Sequence, residues 1–258
     1  MRCDLSIEII SRRPPLIVLS NRTKELEIMP DPIVIGFPGS TYVHIIRLIL
    51  THKEIAYTFR DLEPEMGLPI HLEMHPFNRV PILQHDDFTL YETSAIAMYI
   101  DETFDGPSLT PKSRREKALM NQWISSVNSY YYPYMIYHVT HERLVFPRLG
   151  IEPDEKVVAH ALPKVDLAIH VMERALGHGD RFLLGTDVTL ADFFLVPCTY
   201  SFSLTEEGKA IYAKYPAFRR WRETMEALPS VMRFRASLPP RGPIEHAKQW
   251  PLWHRPKY

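Results

Sequence analysis

The apolar pattern changes character along the chain, and this change most restricts the folds available to it. From residue 32 to 104, short apolar runs of strand type alternate with segments of helical period, in the order strand, helix, strand, helix, hairpin, helix. After a break rich in glycine and proline at 106–111, segments of helical period continue to about Arg235 without a convincing strand. This order predicts a small mixed sheet covered by helices, followed by an all-helical domain.

We therefore predict four segments. They are an extension at 1–30, an α+β domain at 31–105, an all-helical domain at 113–235 and a proline-rich tail at 236–258. The extension shows neither period clearly and contains Pro14–Pro15, so we expect it to be poorly ordered; Met29 offers an alternative translation start. The tail keeps Trp250 and Trp253, which disordered tails seldom do, so we expect it to lie against the body.

The composition excludes several classes of protein. Lys and Arg number 30 against 31 Asp and Glu, a net charge of -1, so no basic field is available for nucleic acid. Only Cys3 and Cys198 occur, which excludes disulfide scaffolds and clustered cysteine metal sites. No apolar stretch approaches the roughly 20 residues that cross a bilayer, and no secretory signal pattern is present. We expect a soluble, cytoplasmic protein without a metal ion or a membrane partner.

Ser40 stands between the first predicted strand and the first predicted helix, directly after a Gly-Phe-Pro-Gly turn. A hydroxyl in this position can donate a hydrogen bond to a sulfur or oxygen anion held at the helix N-terminus. Capping of the helix is the commoner role of serine there. No residues nearby resemble a catalytic triad, so we do not expect this serine to be a nucleophile.

Two dipeptides in the same domain have both a structural and a functional interpretation. A cis Val80–Pro81 bond would let the Val80 backbone pair with an extended peptide, although the dipeptide alone favours an ordinary trans proline. Glu92 and Thr93 open a helix, where Thr93 and free N–H groups could bind a carboxylate and Glu92 an ammonium group. Simple capping by Thr93, with Glu92 favoured by the helix dipole, is the interpretation that these residues alone favour.

The second domain contains two further motifs. Its tyrosine-rich stretch at 130–137, followed by His138, is consistent either with a cleft for a flat hydrophobic ligand or with an aromatic core stripe. Thr189 and Asp192 have the spacing of a capping box, with Asp in place of Glu or Gln. We expect this box to nucleate the core helix of the domain.

Five motifs occur in one order along the chain between Ile33 and Val231. They read IVIGFPGS, HPFNRVPIL, LYETSAIAMYI, LGTDVTLADFFLVP and YPAFRRWRETMEALPSV. Together they resemble the cytosolic glutathione transferase family, and most closely its serine-using phi and theta branches. The resemblance implies a thioredoxin-like glutathione-binding domain, an all-α domain with an electrophile pocket, and a homodimer.

The resemblance also implies roles for single residues. The hydroxyl of Ser40 would stabilise the glutathione thiolate, and Val80, before an expected cis Pro81, would pair with the cysteinyl part. Glu92 and Thr93 would hold the γ-glutamyl group, and Thr189 with Asp192 would form the folding box of the second domain. The predicted pocket for the electrophile is lined by Phe37, Tyr42, Tyr131, Tyr134 and His138.

The sequence departs from the family at the glycine end of glutathione. Arg79 stands where many relatives have glutamine, and we count it among the glutathione-binding residues. The basic residues that often hold the glycine carboxylate are not evident, since the aligned stretch reads MGLPIHLEM, so His71 or Arg79 is a candidate substitute. Thr41 lies where cysteine-using bacterial relatives carry a thiol, which disfavours reduction of mixed disulfides.

The resemblance implies that glutathione, as co-substrate, is conjugated to a small hydrophobic electrophile. Dehalogenation, ether cleavage or isomerisation by the same thiolate remains open, as does a non-catalytic binding protein of this fold. The presence of Ser40, Pro81, Glu92 and Thr93 together favours an enzyme.

Overall fold

A computed structural model describes residues 30–239 and, before them, the backbone of three short strands at 7–10, 17–19 and 26–28. The chain forms two compact units. The first contains the residues up to Ser108 together with Pro229–Leu238, and the second runs from Leu109 to Leu228. The predictions on Met29, Trp250 and Trp253 fall outside the described residues.

The first unit is built around a five-stranded sheet. Its strands and helices, numbered in chain order, are β1 (Ile7–Ile10), β2 (Ile17–Leu19), β3 (Leu26–Ile28), β4 (Ile33–Gly36), α1 (Thr41–Lys53), β5 (Tyr57–Asp61), α2 (Pro69–Met74), β6 (Ile82–His85), β7 (Phe88–Tyr91), α3 (Thr93–Thr103) and, after the second unit in sequence, α9 (Pro229–Ser237). The sheet order is β1-β5-β4-β6-β7, while β2 and β3 form a separate antiparallel pair. Only β4 and β5 are parallel; the other neighbours are antiparallel.

The apolar patterns seen in the sequence account for the core of this unit. Val34 of β4 is fully buried, and so are Val43, Ile46 and Leu50, which recur at helical spacing in α1. A further cluster joins β4 to β6 and to the loop before β6. It consists of Ile35, Leu62 and Ile82, packed against Ile33, Met66, Met74 and Val80.

Strand β1 was not predicted. It pairs antiparallel with β5, with Ile7 opposite Arg60 and Ile10 opposite Tyr57, and so adds an edge strand to the sheet. A four-residue strand of this kind depends on a partner far away in sequence, and its own pattern is too short to show a period. The rest of the predicted extension at 1–30, apart from β2, β3 and Pro30, lies outside the described residues.

Helix α9 belongs with the first unit, although its sequence is continuous with the predicted helical domain at 113–235. Its partner is α1: His52 Nδ1 lies 2.9 Å from Ser230 Oγ, and the guanidinium carbon of Arg47 is 5.7 Å from the centre of the Phe234 ring. The helix follows the second unit in sequence but buries its apolar face against the first.

The second unit is helical. Its helices are α4 (Arg114–Ser126), two π-helical segments (Val127–Tyr131 and Pro133–Val145), a 3₁₀ turn (Phe146–Leu149), α5 (Glu155–Leu176), α6 (Leu190–Ser203), α7 (Glu206–Ala213) and α8 (Pro216–Glu226). Within 109–228, the only extended pairing is a single bridge between Phe182 and Gly185. An α+β unit followed by an all-α unit is the predicted fold class, which is confirmed.

The π-helical segments were not predicted, because the helical spacing seen over 113–138 does not distinguish a π-helix from an α-helix. Pro133 lies inside this stretch. Proline has no N–H to donate, and its ring collides with the carbonyl four residues earlier in an α-helix. A wider turn, with hydrogen bonds five residues apart, accommodates the ring, and directly before Pro133 the Tyr132 N–H donates to the carbonyl of Val127.

The carboxylate of Asp192 organises the start of α6. Its Oδ2 accepts from the backbone N–H of Thr189 at 2.9 Å and from the Thr189 hydroxyl at 3.0 Å. Its Oδ1 accepts from the backbone N–H of Leu183 at 3.0 Å and from the indole of Trp221 at 2.8 Å. Burial raises the pKa of Asp192, and these four hydrogen bonds oppose that rise. The carboxylate therefore joins three separate segments of the second unit.

Candidate active site

The sheet register brings three predicted site segments to one end of the first unit. Strand β4 ends at Gly36, shortly before Ser40, and β6 runs antiparallel to it, with Ile35 opposite Ile82. Val80 and Pro81, directly before β6, therefore lie at the same end. Strand β7 pairs Tyr91 with Ile82, which places Glu92 and Thr93 beside them. Segments separated by up to about fifty residues in sequence thus converge where the strands end.

Ser40 caps α1 and is buried, with 7% of its surface exposed. Its backbone N–H donates to the carbonyl of Phe37 at 3.1 Å, which closes the turn, and its Oγ accepts from Val43 N–H at 3.4 Å. The first turn of α1 contains no acidic residue. The positive end of the helix dipole is therefore not neutralised by a carboxylate of the helix, and the site suits an anion. The serine hydroxyl hydrogen is not used by the capping bond, in which oxygen is the acceptor.

Gly36 allows the serine turn to approach the neighbouring strand. A Cβ at this position would lie 2.4 Å from Cγ2 of Val43 and 3.4 Å from Cβ of Val80. Any larger residue would push α1 away from β4, because 2.4 Å is far inside the contact distance of two carbon atoms. The close packing fixes the distance between the Ser40 turn and Val80.

The Val80–Pro81 peptide bond is cis, as the resemblance implies. The loop before it is held by His71, which is fully buried. Its Nδ1 accepts from Gly67 N–H at 3.1 Å, so Nε2 carries the hydrogen and donates to the carbonyl of Arg79 at 2.8 Å. Both ring nitrogens are occupied, and His71 is therefore corrected from a candidate for the glycine carboxylate to a residue that fixes this loop.

Glu92 adopts a backbone conformation that is unusual for a residue other than glycine. Its φ is 72° and its side chain is exposed, while the following Thr93 is buried and begins α3. Such a conformation costs on the order of 1–3 kcal/mol and is retained where the surrounding structure requires it, often at ligand sites. No side chain caps α3 in this structure, so the capping interpretation of Thr93 is not supported.

The glycine end of the predicted glutathione site is poor in cations. No Lys, Arg or His occurs between Asp61 and Ile70, and Arg60 pairs with Glu65 at 2.5 Å. His71 is occupied as described. Arg79 is half-buried and immediately precedes Val80, and its role toward glutathione stays a prediction.

The residues predicted to line the electrophile pocket differ in their surroundings. Phe37 and Tyr42 are half-buried in the first unit, on either side of Ser40 in sequence, whereas the other three lie in the second unit. Tyr131 belongs to the core of that unit: it is 2% exposed, and its hydroxyl donates to the carbonyl of Ala168 at 2.8 Å. Tyr131 thus contributes to the core of the second unit, and its predicted pocket role stays a prediction.

Tyr134 and His138 are half-buried neighbours, with ring centres 5.3 Å apart. Lys164 lies 3.3 Å from the Tyr134 hydroxyl, and His160 Nε2 is 2.6 Å from the Lys164 ammonium group. Burial lowers the pKa of His138, and His160 and Lys164 lower it further. The predicted pocket role of Tyr134 and His138 stays a prediction.

His75, at the end of α2, is expected to make the stability of the first unit depend on pH. It is 2% exposed, its ring centre is 4.7 Å from that of Tyr91, and burial above all, assisted by the positive charge of Arg79, lowers its pKa to about 4. Between pH 6.5 and 4 the unfolded chain binds a proton that the folded chain does not. The free energy of unfolding should therefore fall by roughly 3 kcal/mol as the pH drops through this window, and remain constant above it.

Urea titrations at pH 7 and pH 4.5 would test this. His75→Asn should flatten the pH dependence of the unfolding free energy, whereas His178→Asn, at an exposed histidine of the second unit, should leave the dependence unchanged. An equally steep loss in His75→Asn would assign it to other groups.

Two absences are shown for the part of the chain that the structure describes. Within it, no three His, Cys, Asp or Glu side chains are arranged to hold a metal ion. Its helices also include none with the length and apolar character needed to cross a membrane.

Comparison with known proteins identifies the family. Residues 34–108 match the glutathione S-transferase N-terminal domain, and residues 127–229 match the C-terminal domain of the same family. Glutathione S-transferase F13 of Arabidopsis thaliana is 34% identical over 169 residues, covering 64% of this chain and 76% of the relative. The probable glutathione S-transferase GSTF1 of Oryza sativa is 27% identical over 220 residues, covering 82% and 99%.

A solved structure agrees with these matches over both units. Glutathione S-transferase I from maize, in complex with an atrazine glutathione conjugate, has a TM-score of 0.74 and 26% sequence identity, and covers 83% of this chain and all of that one. The matched domains, their order and the architecture all agree. Within the family, the relatives and the solved structure are of the phi class. The chain belongs to the glutathione S-transferase family, whose members are transferases that use glutathione as co-substrate.

Proposed function

We propose that the protein conjugates glutathione to a hydrophobic electrophile, with the thiolate stabilised by Ser40. The observation that carries this proposal is the convergence of Ser40, the cis Val80–Pro81 bond and Glu92–Thr93 at one end of the sheet. These segments offer, in turn, a hydroxyl at a helix N-terminus, an extended backbone edge and a carboxylate beside a second helix start. A γ-glutamyl-cysteinyl peptide needs the same three groups.

The chemistry requires a shift of the thiol equilibrium. A free cysteine thiol has a pKa of about 8.5, so only a few per cent is thiolate at neutral pH. A hydrogen bond to a charged group is worth about 1.5–3 kcal/mol, which corresponds to roughly one to two pKa units. The Ser40 hydroxyl, supported by the dipole of α1, would bring the pKa of the thiol to about 6.5–7.5, so that a large fraction is thiolate at neutral pH.

The aromatic side chains next to Ser40 in sequence favour an aromatic electrophile. Phe37 and Tyr42 flank Ser40 in sequence and keep part of their surfaces exposed, so they offer an apolar boundary on the first unit. The maize structure with its atrazine conjugate supports halogenated heteroaromatic compounds as the first electrophiles to test. Displacement of the halide by the bound thiolate needs no metal and no further cofactor.

We also propose that Arg79 binds glutathione and that the chain acts as a homodimer in the cytoplasm, as its family resemblance implies. Analytical ultracentrifugation of a dimer would give a molecular mass twice the 30.1 kDa of one chain.

The roles of Glu92 and Thr93 are tested by binding. Thr93→Val and Glu92→Ala should each weaken the binding of reduced glutathione by about ten- to a hundredfold, because each removes a hydrogen bond to a charged group of the peptide. Glu102→Ala, at an exposed residue near the other end of α3, should bind normally. Titration calorimetry measures these affinities.

Two results would contradict the proposal. Wild-type protein that takes up no reduced glutathione would rule out the activity. Glutathione affinity unaltered in both variants would remove Glu92 and Thr93 from the site while leaving the family assignment intact.

A further inference from the structure

We propose that His44 is a positioning residue for the thiolate-stabilising serine, an inference that rests on the proposed function of Ser40. His44 lies in the first turn of α1, where its backbone N–H donates to the carbonyl of Ser40 at 2.9 Å. Its side chain reaches back to the turn before the helix, and Nε2 lies 2.5 Å from the carbonyl oxygen of Pro38. A carbonyl can only accept, so Nε2 is the donor of this bond.

The bond to Pro38 links the turn to the helix. The hydrogen bond between Ser40 N–H and Phe37 carbonyl closes the turn on itself, and so does not set its orientation relative to α1. The capping bond from Val43 to Ser40 Oγ is long, at 3.4 Å, and correspondingly weak. The imidazole of His44 therefore supplies the short side-chain contact that fixes the turn at Pro38.

The imidazole is itself held by a distant segment. Its ring packs edge-on against Phe234 of α9, with ring centres 5.4 Å apart and an angle of 73° between the planes. One side chain thus touches the turn that carries Ser40 and the helix that returns to the first unit at the end of the described chain. Groups that must hold a reactive atom in place are most precise when packing locks their own rotamers.

The consequence for the reaction is a change in hydrogen-bond geometry. The stabilisation that Ser40 gives a thiolate falls when the hydroxyl moves by a fraction of an ångström or rotates away. Loss of the Pro38 contact would leave glutathione bound through the segments around Val80 and Thr93. It would alter the ionisation of the sulfur more than the affinity for the peptide.

A second histidine on the same helix provides the matched control. His52 also contacts α9, through Ser230 Oγ at 2.9 Å, but lies at the opposite end of α1 from the Ser40 turn. His52→Ala should therefore remove only the contact to Ser230 and leave both contacts of His44, to Pro38 and to Phe234, in place. A purely structural role of His44 would make the two alanine variants alike.

The experiment measures the pKa of the bound thiol from the ultraviolet absorbance of the thiolate, together with kcat and KM. His44→Ala should raise that pKa by about half to one unit and lower kcat about three- to tenfold near neutral pH, as expected for one lost hydrogen bond. The KM for glutathione should change by less than about twofold, since its binding groups are untouched. His52→Ala should leave the thiol pKa and kcat unchanged.

Two amide variants keep the test decisive if the alanine variant does not fold. The Nε2 of glutamine can reach the Pro38 carbonyl, so His44→Gln should restore a thiol pKa near that of the wild type. His44→Asn is matched in polarity but one methylene shorter, and should behave like the alanine variant. Equal thiol pKa values in the Gln and Asn variants would overturn the inference.

Ser40→Ala separates this inference from the proposed function. If Ser40→Ala does not raise the thiol pKa, the role of Ser40 fails, and with it the basis for His44. If Ser40→Ala raises the pKa and His44→Ala does not, only the positioning role of His44 is overturned.

Discussion

Ser40→Ala should lower kcat by about ten- to a hundredfold near neutral pH, because it removes the hydrogen bond that favours the thiolate over the thiol. The pKa of the bound thiol should rise by about one to two units in the same variant. Affinity for glutathione should change little, since the peptide is held at Val80 and at the start of α3. Absorbance of the bound thiolate as a function of pH, with steady-state kinetics, measures all three quantities.

The neighbouring hydroxyl is the control. Thr41 is also 7% exposed and is the first residue of α1, so Thr41→Val tests whether any buried hydroxyl at this helix start would serve. It should leave the thiol pKa unchanged. In Ser40→Ala, turnover should recover toward the wild-type value as the pH rises above the thiol pKa, because solvent then ionises the sulfur. A defect that persists at high pH would assign Ser40 a role other than thiolate stabilisation.

The fold of the first unit could be predicted from local pattern. The β-branched run at 33–35 and the helical spacing of Val43, Ile46 and Leu50 are strong signals, and the structure confirms the core that they form. Strand β1 and the packing of α9 could not be predicted in this way. Both depend on partners far away in sequence, β5 in one case and α1 in the other.

The candidate site was harder to predict from the sequence than the fold, because each of its residues also has an ordinary structural explanation. Ser40 does cap α1, so the capping interpretation is correct and still leaves the hydroxyl hydrogen available. What distinguishes function from capping is the convergence of three segments, and convergence depends on strand register. The family resemblance predicts that these residues serve one site, whereas no residue considered singly does.

Some features of the site carry no signal in a single sequence. The positive φ of Glu92 and the two contacts of His71 follow from tertiary structure alone. The surroundings of Tyr131 are a further example, since its tyrosine-rich stretch is equally consistent with a cleft and with an aromatic core stripe. Composition cannot show which of several tyrosines faces the core, and the carbonyl of Ala168 satisfies this hydroxyl there.

The largest effect on stability is expected for Asp192→Ala, which should reduce the free energy of unfolding of the second unit by about 3–5 kcal/mol. Its carboxylate is fully buried and accepts four hydrogen bonds, two of them from Thr189 and the others from Leu183 and Trp221. Alanine would leave all four donors buried without this acceptor. Asp187→Ala, at an exposed carboxylate of the same loop, should change stability by less than about 0.5 kcal/mol.

Two further variants show which part of the carboxylate matters. Asp192→Asn keeps one acceptor oxygen but sets an amide donor against a donor of Thr189, so its loss should lie between those of the wild type and the alanine variant. Trp221→Phe removes a single donor and should cost less than Asp192→Ala. Denaturant titrations followed by circular dichroism compare them. Burial raises the pKa of Asp192, which shows that removing the carboxylate from water has a cost that opposes the gain from its hydrogen bonds. An alanine variant within about 1 kcal/mol of the wild type would mean that this cost cancels the four hydrogen bonds.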